Sequence, residues 1–399
     1  ISVSFPALVN ETMNIINWAI EQYDYDVYLN SQNSTYSFFI PTNQGLLTYV
    51  DPCSFGKNQT QVYEFHYDEK AQTEAEKVRA FIYDVESGTR LDSIGEASTT
   101  QIRDRLTDIL ETHIVVGNVE SGEKYYRTKD GGTIFVENAG KPNMTVAGGW
   151  QVEHGEKLPV AQIYKEENGK AYILEGSLIQ TAQKSVPDLL KEHDEFSKFY
   201  ELLEGSSIMS NVISTGSGAD APSYACPSPS ITLFNTFHYT VYVPTNESIQ
   251  ALHDEGKLPT WDEVEAEQDE DEKEKMTERI EKFLKYHIQD NSLYIGQGKI
   301  AEADYETSAY EINGADNTIS YCRLTVEGDD SHLTVKDAAG NKRNVLKNGG
   351  LYNLMAREYQ YNTADVASAS EIYTTSYAVV HQIDGPLMWE KDAETGNME

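Results

Sequence analysis

Carboxylates are the most abundant side chains in this sequence that could carry out chemistry, since 65 of its 399 residues are Asp or Glu. Two carboxylates on opposite sides of a glycosidic bond can serve as the acid and base of a hydrolase. With so many acidic residues, however, spacing alone selects no pair. The motifs HExxH, GxSxG, GxxxxGKS and GxxxxGKT, which mark common hydrolases and phosphate-binding loops, do not occur. We therefore predict that the protein is not an enzyme, with an unrecognised hydrolase as the alternative.

The three cysteines, Cys53, Cys226 and Cys322, form neither a CxxC motif nor a zinc-type cluster with histidine. We therefore predict no metal site and no cofactor. Cys226 and Cys322 lie in the same half of the chain and could form a disulfide; alternatively, all three are free, partly buried thiols. An odd number of cysteines cannot supply a complete set of intrachain disulfides, so folding must depend on an apolar core.

Tyrosine and histidine are the remaining side chains that could contact a ligand. The chain holds 26 tyrosines, and close pairs such as Tyr359 and Tyr361 could offer flat faces to a sugar or a protein partner. The alternative is that these tyrosines are half-buried in strands. His113 and His287 each end a predicted helix. There the ring could contact a partner or sense pH, or it could bind a backbone carbonyl and fix the helix end.

The charge of the chain excludes several classes of partner. The formal net charge is −34, and so acidic a surface repels nucleic acid and anionic lipid, because binding either one depends on Lys and Arg. No apolar run approaches the roughly eighteen residues of a membrane-spanning helix. The chain begins at Ile1 rather than Met, as expected of a mature chain that has lost a targeting segment.

An internal repeat organises the elements that must position these side chains. Four blocks occur twice in the same order: a strand that ends in Pro-Thr-Asn, a helix that ends in His-Ile, a short strand with a turn, and a last strand before an acidic-Gly turn. After the proline, the Thr-Asn step is predicted to cap the first turn of a helix. The paired blocks are 36–43 with 239–246, 102–114 with 276–288, 133–140 with 333–340, and 171–178 with 380–387.

The repeat predicts two domains of mixed helices and strands, an α+β fold. We assign residues 1–184 to the first domain, 185–391 to the second, and 392–399 to a disordered tail. The first two blocks lie farther apart in the first copy, which predicts an insertion there, within residues 51–98.

The second copy resembles the fasciclin domain most closely. Its strand reads VYVPTN at 241–246, its helix ends in Tyr286-His287, and its last strand reads VHQIDGPL at 380–387. The first copy departs from this pattern. It has Thr112 before His113, and YILEG at 172–176 in place of the last strand's His-x-Ile-Asp-Gly.

The resemblance implies two tandem fasciclin-like domains, each a wedge-shaped β-sandwich flanked by helices. It also implies a secreted or cell-surface address and a role in adhesion, with Tyr286 and His287 as the residues that contact a partner. The acidic, cysteine-poor and tyrosine-rich composition favours a bacterial envelope protein. For such a protein the resemblance implies a lipid anchor at the outer membrane, and we expect it to serve as a subunit of an envelope complex. The alternative is a glycan-binding module of an outer-membrane nutrient importer, using Tyr359 and Tyr361.

Overall fold

The computed structural model describes residues 1–54, 60–214, 223–231, 238–358, 361–362 and 376–390, with the backbone alone at 210–214, 223–231 and 361–362. The fold is α+β. The chain divides into two compact units: Ile1–Gln183 belong to the first, and Lys184–Ile213 with the described residues 238–358 and 376–390 belong to the second. The predicted assignment of 1–184 and 185–391 to fasciclin-like domains stays a prediction, and the predicted tail at 392–399 lies outside the described residues.

The first unit combines short helices with strands. Its helices are α1 (Phe5–Val9), α2 (Asn14–Gln22), α3 (Tyr25–Leu29), α4 (Thr99–Thr112) and α5 (Gly149–His154). Its strands are β1 (Tyr36–Pro41), β2 (Tyr49–Val50), β3 (Thr60–Tyr67), β4 (Val78–Glu86), β5 (Thr89–Glu96), β6 (Ile114–Val116), β7 (Tyr125–Arg127), β8 (Thr133–Glu137), β9 (Thr145–Ala147), β10 (Leu158–Pro159), β11 (Gln162–Glu166) and β12 (Gly169–Leu174).

Three four-stranded sheets form from these strands, in the orders β11-β12-β1-β6, β10-β9-β8-β7 and β2-β3-β4-β5. The third sheet contains β3, β4 and β5, which lie in the segment that the sequence predicted as an insertion. Tyr63 and Phe65 of β3 are buried in the same apolar core as α2 and α4. The exposed strand β5 lies at the edge of that sheet.

The second unit has longer strands. Its helices are α6 (Val186–Glu192), α7 (Ser197–Glu204), α8 (Asn246–Asp254), α9 (Trp261–Ala266) and α10 (Glu270–Tyr286). The other strands in the described part of the chain are β13 (Met209–Ser214), β14 (Ser223–Ile231), β15 (His238–Pro244), β16 (Ile288–Asp290), β17 (Ile300–Ile312), β18 (Ile319–Gly328), β19 (Leu333–Lys336), β20 (Lys342–Asn344), β21 (Leu354–Glu358), β22 (Tyr361–Asn362) and β23 (Ser376–Ile383).

One eight-stranded sheet, in the order β20-β19-β18-β17-β16-β15-β23-β21, carries most of this unit. Helix α10 packs on β17, and its buried side chains Ile280, Phe283 and Leu284 join the core beneath the sheet.

The two units repeat one pattern of strand pairing. Strand β1 is parallel to β12 and antiparallel to β6, and β15 is parallel to β23 and antiparallel to β16. The registers match the sequence alignment residue for residue. The equivalent triples are Phe38 with Ala171 and Ile114, and Val241 with Val380 and Ile288.

The asparagine after each Pro-Thr step makes an equivalent hydrogen bond in both units. Asn43 accepts a hydrogen bond from the backbone N–H of Ile15, the second residue of α2, at 3.2 Å. Asn246 accepts from the N–H of Lys198, the second residue of α7, at 3.0 Å. Each side chain therefore satisfies a first-turn N–H of a helix that precedes it in the chain. Such a repeated tertiary contact is expected of a duplicated domain.

Candidate functional site

The histidine that ends each long helix is buried and links two segments of its own unit by hydrogen bonds. His113 is buried, and its Nδ1 donates to the carbonyl of Ile109 at 2.7 Å, while its Nε2 accepts from the N–H of Ile179 at 3.1 Å. Because one partner is a carbonyl and the other an N–H, the ring must carry its proton on Nδ1. Burial lowers the pKa of His113 to about 4, so the ring is neutral.

His287 in the second unit has the same surroundings. Its Nδ1 donates to the carbonyl of Phe283 at 2.7 Å, and its Nε2 accepts from the N–H of Leu387 at 3.0 Å. Burial lowers its pKa to about 4 as well. Both rings join a helix end to the segment after the last strand of the same unit, which accounts for a histidine in both copies.

Tyr286 is also buried. Its hydroxyl donates to the carbonyl of Arg323 at 2.8 Å and accepts from the N–H of Ala338 at 3.0 Å. Burial raises its pKa above the usual range, so the phenol stays protonated. Neither Tyr286 nor His287 reaches the surface, and their predicted contact with a partner stays a prediction that would require local opening.

The other residues singled out in the sequence are described only in part. Tyr359 lies outside the described residues, and of Tyr361 the structure describes only the backbone, in β22. The predicted glycan contact of this pair therefore stays a prediction. Cys322 is a free, half-buried thiol among the residues that the structure describes, and the disulfide with Cys226 that the sequence left open is not tested. The side chain of Cys226 lies outside the described part.

A surface that the sequence did not predict stands out at the end of the β17–β18 hairpin. We call residues 310–312 and 319–321, with the turn between them, the hairpin tip. Four large side chains are exposed here: Tyr310 by 38%, Ile312 by 61%, Ile319 by 54% and Tyr321 by 42%. Soluble proteins seldom leave so many adjacent large apolar groups in water unless a partner covers them.

Strand pairing places the four side chains on one face. Tyr310 lies directly opposite Tyr321, and Ile312 lies opposite Ile319. Residues two apart in a strand point to the same side, so both pairs share a face. The two tyrosine rings meet edge to face, with centroids 6.0 Å apart. The result is a continuous aromatic and aliphatic strip along the hairpin.

The backbone edges of the hairpin tip are open. Strand β16 pairs with β17 only at Thr307, and β19 pairs with β18 only from Thr325 to Gly328. Within the described residues, no third strand pairs with 310–312 or 319–321. Open edges can accept a strand from another protein through main-chain hydrogen bonds.

The turn fixes the geometry of the tip. The N–H of Asn313 donates to the carbonyl of Thr318 at 2.9 Å, and the N–H of Asn317 donates to the carbonyl of Asn313 at 2.8 Å. Asn317 has φ +57°, a left-handed conformation that Asn tolerates. Asp316 accepts from the backbone and the hydroxyl of Thr318, which lowers its pKa. The apolar strip is therefore presented on a well-bonded turn.

Charges lie beside the strip. The Lys285 ammonium lies 5.4 Å from the Tyr310 ring centroid, a favourable cation–π distance. Lys282 pairs with Glu311. These contacts attach the hairpin to helix α10 and leave the four apolar side chains exposed.

The sequence did carry a signal for this surface. Tyr-x-Ile and Ile-x-Tyr flank an Asn-Gly-rich turn at 313–318, which is the alternation of an amphipathic hairpin. The alternation alone does not tell whether the apolar face is buried or exposed. That depends on where the neighbouring strands end.

Two features that would suggest other functions are absent from the described part of the chain. It contains no group of three His, Cys, Asp or Glu side chains placed to hold a metal ion. None of its helices combines the length and the apolar character that a membrane span needs.

Similar proteins are found among solved structures but not among family models or curated proteins. No family model matches the chain, and no curated protein matches it. A FAS1 domain pair from the insect cell adhesion molecule fasciclin I is similar among solved structures, with 13% identity over 96% of this chain and 98% of that chain. The TM-score is 0.28, too low to establish a shared arrangement of the whole chain. The kinship of the two units rests instead on the strand registers and hydrogen bonds that they repeat.

Proposed function

We propose that this chain is a non-enzymatic interaction protein, secreted or held at a cell surface, whose hairpin tip binds a protein partner. The observation that carries this proposal is the strip of Tyr310, Ile312, Ile319 and Tyr321 on one face of a hairpin with open edges. Aromatic residues at the centre of an interface supply much of its binding energy.

We further propose that the two units are tandem fasciclin-like domains, each a wedge-shaped β-sandwich flanked by helices. The repeated strand registers, the paired histidines and the paired asparagines support this proposal. We also propose that the chain acts in adhesion. In addition, we propose a lipid anchor at a bacterial outer membrane and membership of an envelope complex there. The bacterial origin rests on composition, and the lipid anchor rests on what the family resemblance implies.

The partner that best fits the hairpin tip is a different protein with a basic surface around an extended apolar strand. A second copy of this chain fits poorly, because two chains of net charge −34 repel each other at low salt. A basic partner would be attracted by the same charge. An extended strand would satisfy the open main-chain edges while its side chains cover the apolar strip.

Affinity purification from the native envelope, followed by mass spectrometry, tests this proposal. The double variant Ile312→Ser and Ile319→Ser should lose a stoichiometric partner that the wild type retains. Both side chains are exposed, so folding should be unaffected, which a melting curve checks. The matched control is Leu91→Ser and Ile94→Ser, two exposed apolar residues of strand β5.

The outcomes separate the possibilities. Loss of the partner in the hairpin variant, but not in the control, supports the proposal. Equal binding by both variants, or no partner at all with the wild type, contradicts it. Light scattering that shows a dimer of the wild type and a monomer of the hairpin variant would make a second copy the occupant instead.

A further inference from the structure

A cavity of about 230 Å³ lies in the first unit, whereas the hairpin tip belongs to the second. It opens between the end of helix α2, the first turn of α4 and the segment that leads into strand β4. Its volume is below that of most pockets for drug-sized ligands, and it suits one ring-sized group. The lining residues are Trp18, Gln22, Tyr23, Ala75, Val78, Thr99, Thr100, Ile102 and Arg103.

One wall of the cavity is aromatic and held in place. Trp18 and Tyr23 meet edge to face with ring centroids 5.5 Å apart. The indole N–H of Trp18 donates to the carbonyl of Glu74 at 2.7 Å, which fixes the ring against the inserted segment. Burial raises the pKa of Tyr23, so its phenol stays protonated and can donate a hydrogen bond.

The charge in the cavity comes from Arg103. Arg79, Arg90, Arg105 and Arg323 each pair with a carboxylate. Arg103 is exposed and forms no ion pair or hydrogen bond with any residue that the structure describes; its guanidinium lies 5.7 Å from the Tyr23 ring centroid. In a chain with about twice as many acidic as basic residues, an arginine without a carboxylate partner is available to an anion from outside.

The cavity is not part of the repeated scaffold. The residue equivalent to Arg103 in the second unit is Thr277, whose hydroxyl donates to the carbonyl of Lys273 in its own helix. Ala75 and Val78, which form another wall, belong to the segment that the second unit lacks. The positive charge and the enclosing wall therefore occur together in one unit only, as expected of a feature with its own function.

We infer that this cavity binds an acidic sugar unit of a glycan. The Arg103 guanidinium can bind the sugar carboxylate through two parallel hydrogen bonds. The amide of Gln22 and the hydroxyls of Thr99 and Thr100 supply donors and acceptors for sugar hydroxyls. The aromatic wall can pack against the apolar face of the ring. This site is independent of the proposed partner interface at the hairpin tip.

Titration calorimetry on the full chain tests the inference, with methyl glucuronide as the probe. Methyl glucoside removes the carboxylate, and benzoate keeps a ring and a carboxylate without the hydroxyls. Methyl glucuronide should bind about tenfold or more tightly than either comparison compound, and its affinity should fall as salt is added. Arg103→Gln should weaken the binding by about tenfold or more, since it removes a charged double hydrogen bond.

Two further variants make the result decisive. Thr100→Val keeps the charge and should still weaken methyl glucuronide severalfold. Arg323→Gln, an exposed arginine in the second unit, should leave the affinity unchanged. The inference is overturned if methyl glucuronide does not bind at millimolar concentration, if benzoate binds as tightly, or if Arg103→Gln and Arg323→Gln have equal effects. None of these results bears on the hairpin tip, because that surface is tested by its own variants.

Discussion

At the scale of single residues, the buried histidines show how a titratable side chain can have a structural role. His113, His287 and His381 are all buried, and burial lowers the pKa of each to about 4. Each ring donates from one nitrogen to a backbone carbonyl and accepts a backbone N–H on the other. Protonation would remove the acceptor and place a charge in the core.

This arrangement predicts a pH dependence of stability. A histidine in the unfolded chain has a pKa near 6.5. Between that pH and about pH 4 it is therefore protonated, whereas the buried ring in the folded protein stays neutral. The stability due to each neutral ring is therefore present above pH 6.5 and is lost as the pH falls toward 4. For a fall of that size in pKa, the loss amounts to roughly 3 kcal/mol per histidine.

The variant His287→Gln tests this directly. Urea unfolding measured between pH 7 and pH 4 should show a smaller loss of unfolding free energy in the variant than in the wild type, because one proton fewer is taken up on unfolding. The variant should also be less stable at pH 7, since it disturbs two buried hydrogen bonds. His154→Gln, which replaces an exposed ring, is the matched control for the substitution itself. Identical slopes for His287→Gln and the wild type would contradict the assignment.

At the scale of elements, the features that depend on local patterns of residues could be predicted from the sequence. The paired strands and the helices that end in histidine followed from periodicity and repetition, because both copies carry the same spacing of apolar residues. The α+β class is confirmed. The prediction that both Thr-Asn steps cap the helix that follows is confirmed for Thr245, which accepts from the N–H of Ser248 at the start of α8. It is wrong for Thr42, which accepts from the N–H of Gly176 instead.

The reason for that difference lies outside the repeated motif. In the first unit the chain after Asn43 makes only a three-residue 3-10 turn, Gly45–Leu47. A Cβ on Gly45 would lie 2.4 Å from the carbonyl oxygen of Ser177, so close packing there requires glycine. The sequence also could not reveal the cavity, since it depends on contacts between segments far apart in the chain. Nor could it reveal that the apolar face of the hairpin tip is exposed, since that depends on where the neighbouring strands end.

A buried ion pair attaches the sheet β2-β3-β4-β5, called here the inserted sheet, to helix α4. It gives a second prediction. Arg105 donates to both carboxylate oxygens of Asp51, at 3.2 and 3.1 Å, and both side chains are almost fully buried. Asp51→Asn or Arg105→Met alone should lower the unfolding free energy by about 3–5 kcal/mol. Arg105→Met leaves the buried Asp51 carboxylate without its charged partner, and Asp51→Asn leaves the buried Arg105 with only the longer contact to Asp104, at 3.4 Å. The double variant should be markedly more stable than the sum of the two losses implies.

An exposed pair provides the control for this experiment. Arg79 pairs with Glu96, and their side chains are 51% and 42% exposed. Removing either partner should change the unfolding free energy far less than removing a partner of the buried pair, because solvent screens the exposed charges. Equal losses for the buried and the exposed pair would show that Asp51 and Arg105 do not hold the inserted sheet in place.

At the scale of the whole molecule, net charge acts on stability as well as on the choice of partner. With 65 acidic and 31 basic residues, the compact state brings like charges together, and their repulsion lowers its stability. The repulsion acts over the screening length of the solution. That length is about 30 Å at 0.01 M ionic strength and about 10 Å at 0.1 M.

Added salt should therefore stabilise the protein. Between those two ionic strengths the melting temperature should rise by about 2 °C or more, which corresponds to roughly 1 kcal/mol for a domain of this size. Sodium chloride and choline chloride at equal ionic strength should give equal shifts, because screening does not depend on the cation. A rise with sodium alone would indicate a bound cation, and an absence of any rise would show that the acidic residues do not repel one another appreciably.

A charge variant separates repulsion from other effects of salt. Glu86, Glu175, Glu265 and Glu302 are exposed, and their combined replacement by glutamine removes four negative charges without opening the core. This variant should melt above the wild type at low salt, and its melting temperature should rise less as salt is added, because less repulsion remains to be screened. If the wild type and the variant responded equally to salt, the stabilisation would come from salting-out of apolar surface, and the exposed strip at the hairpin tip would be the first place to look for it.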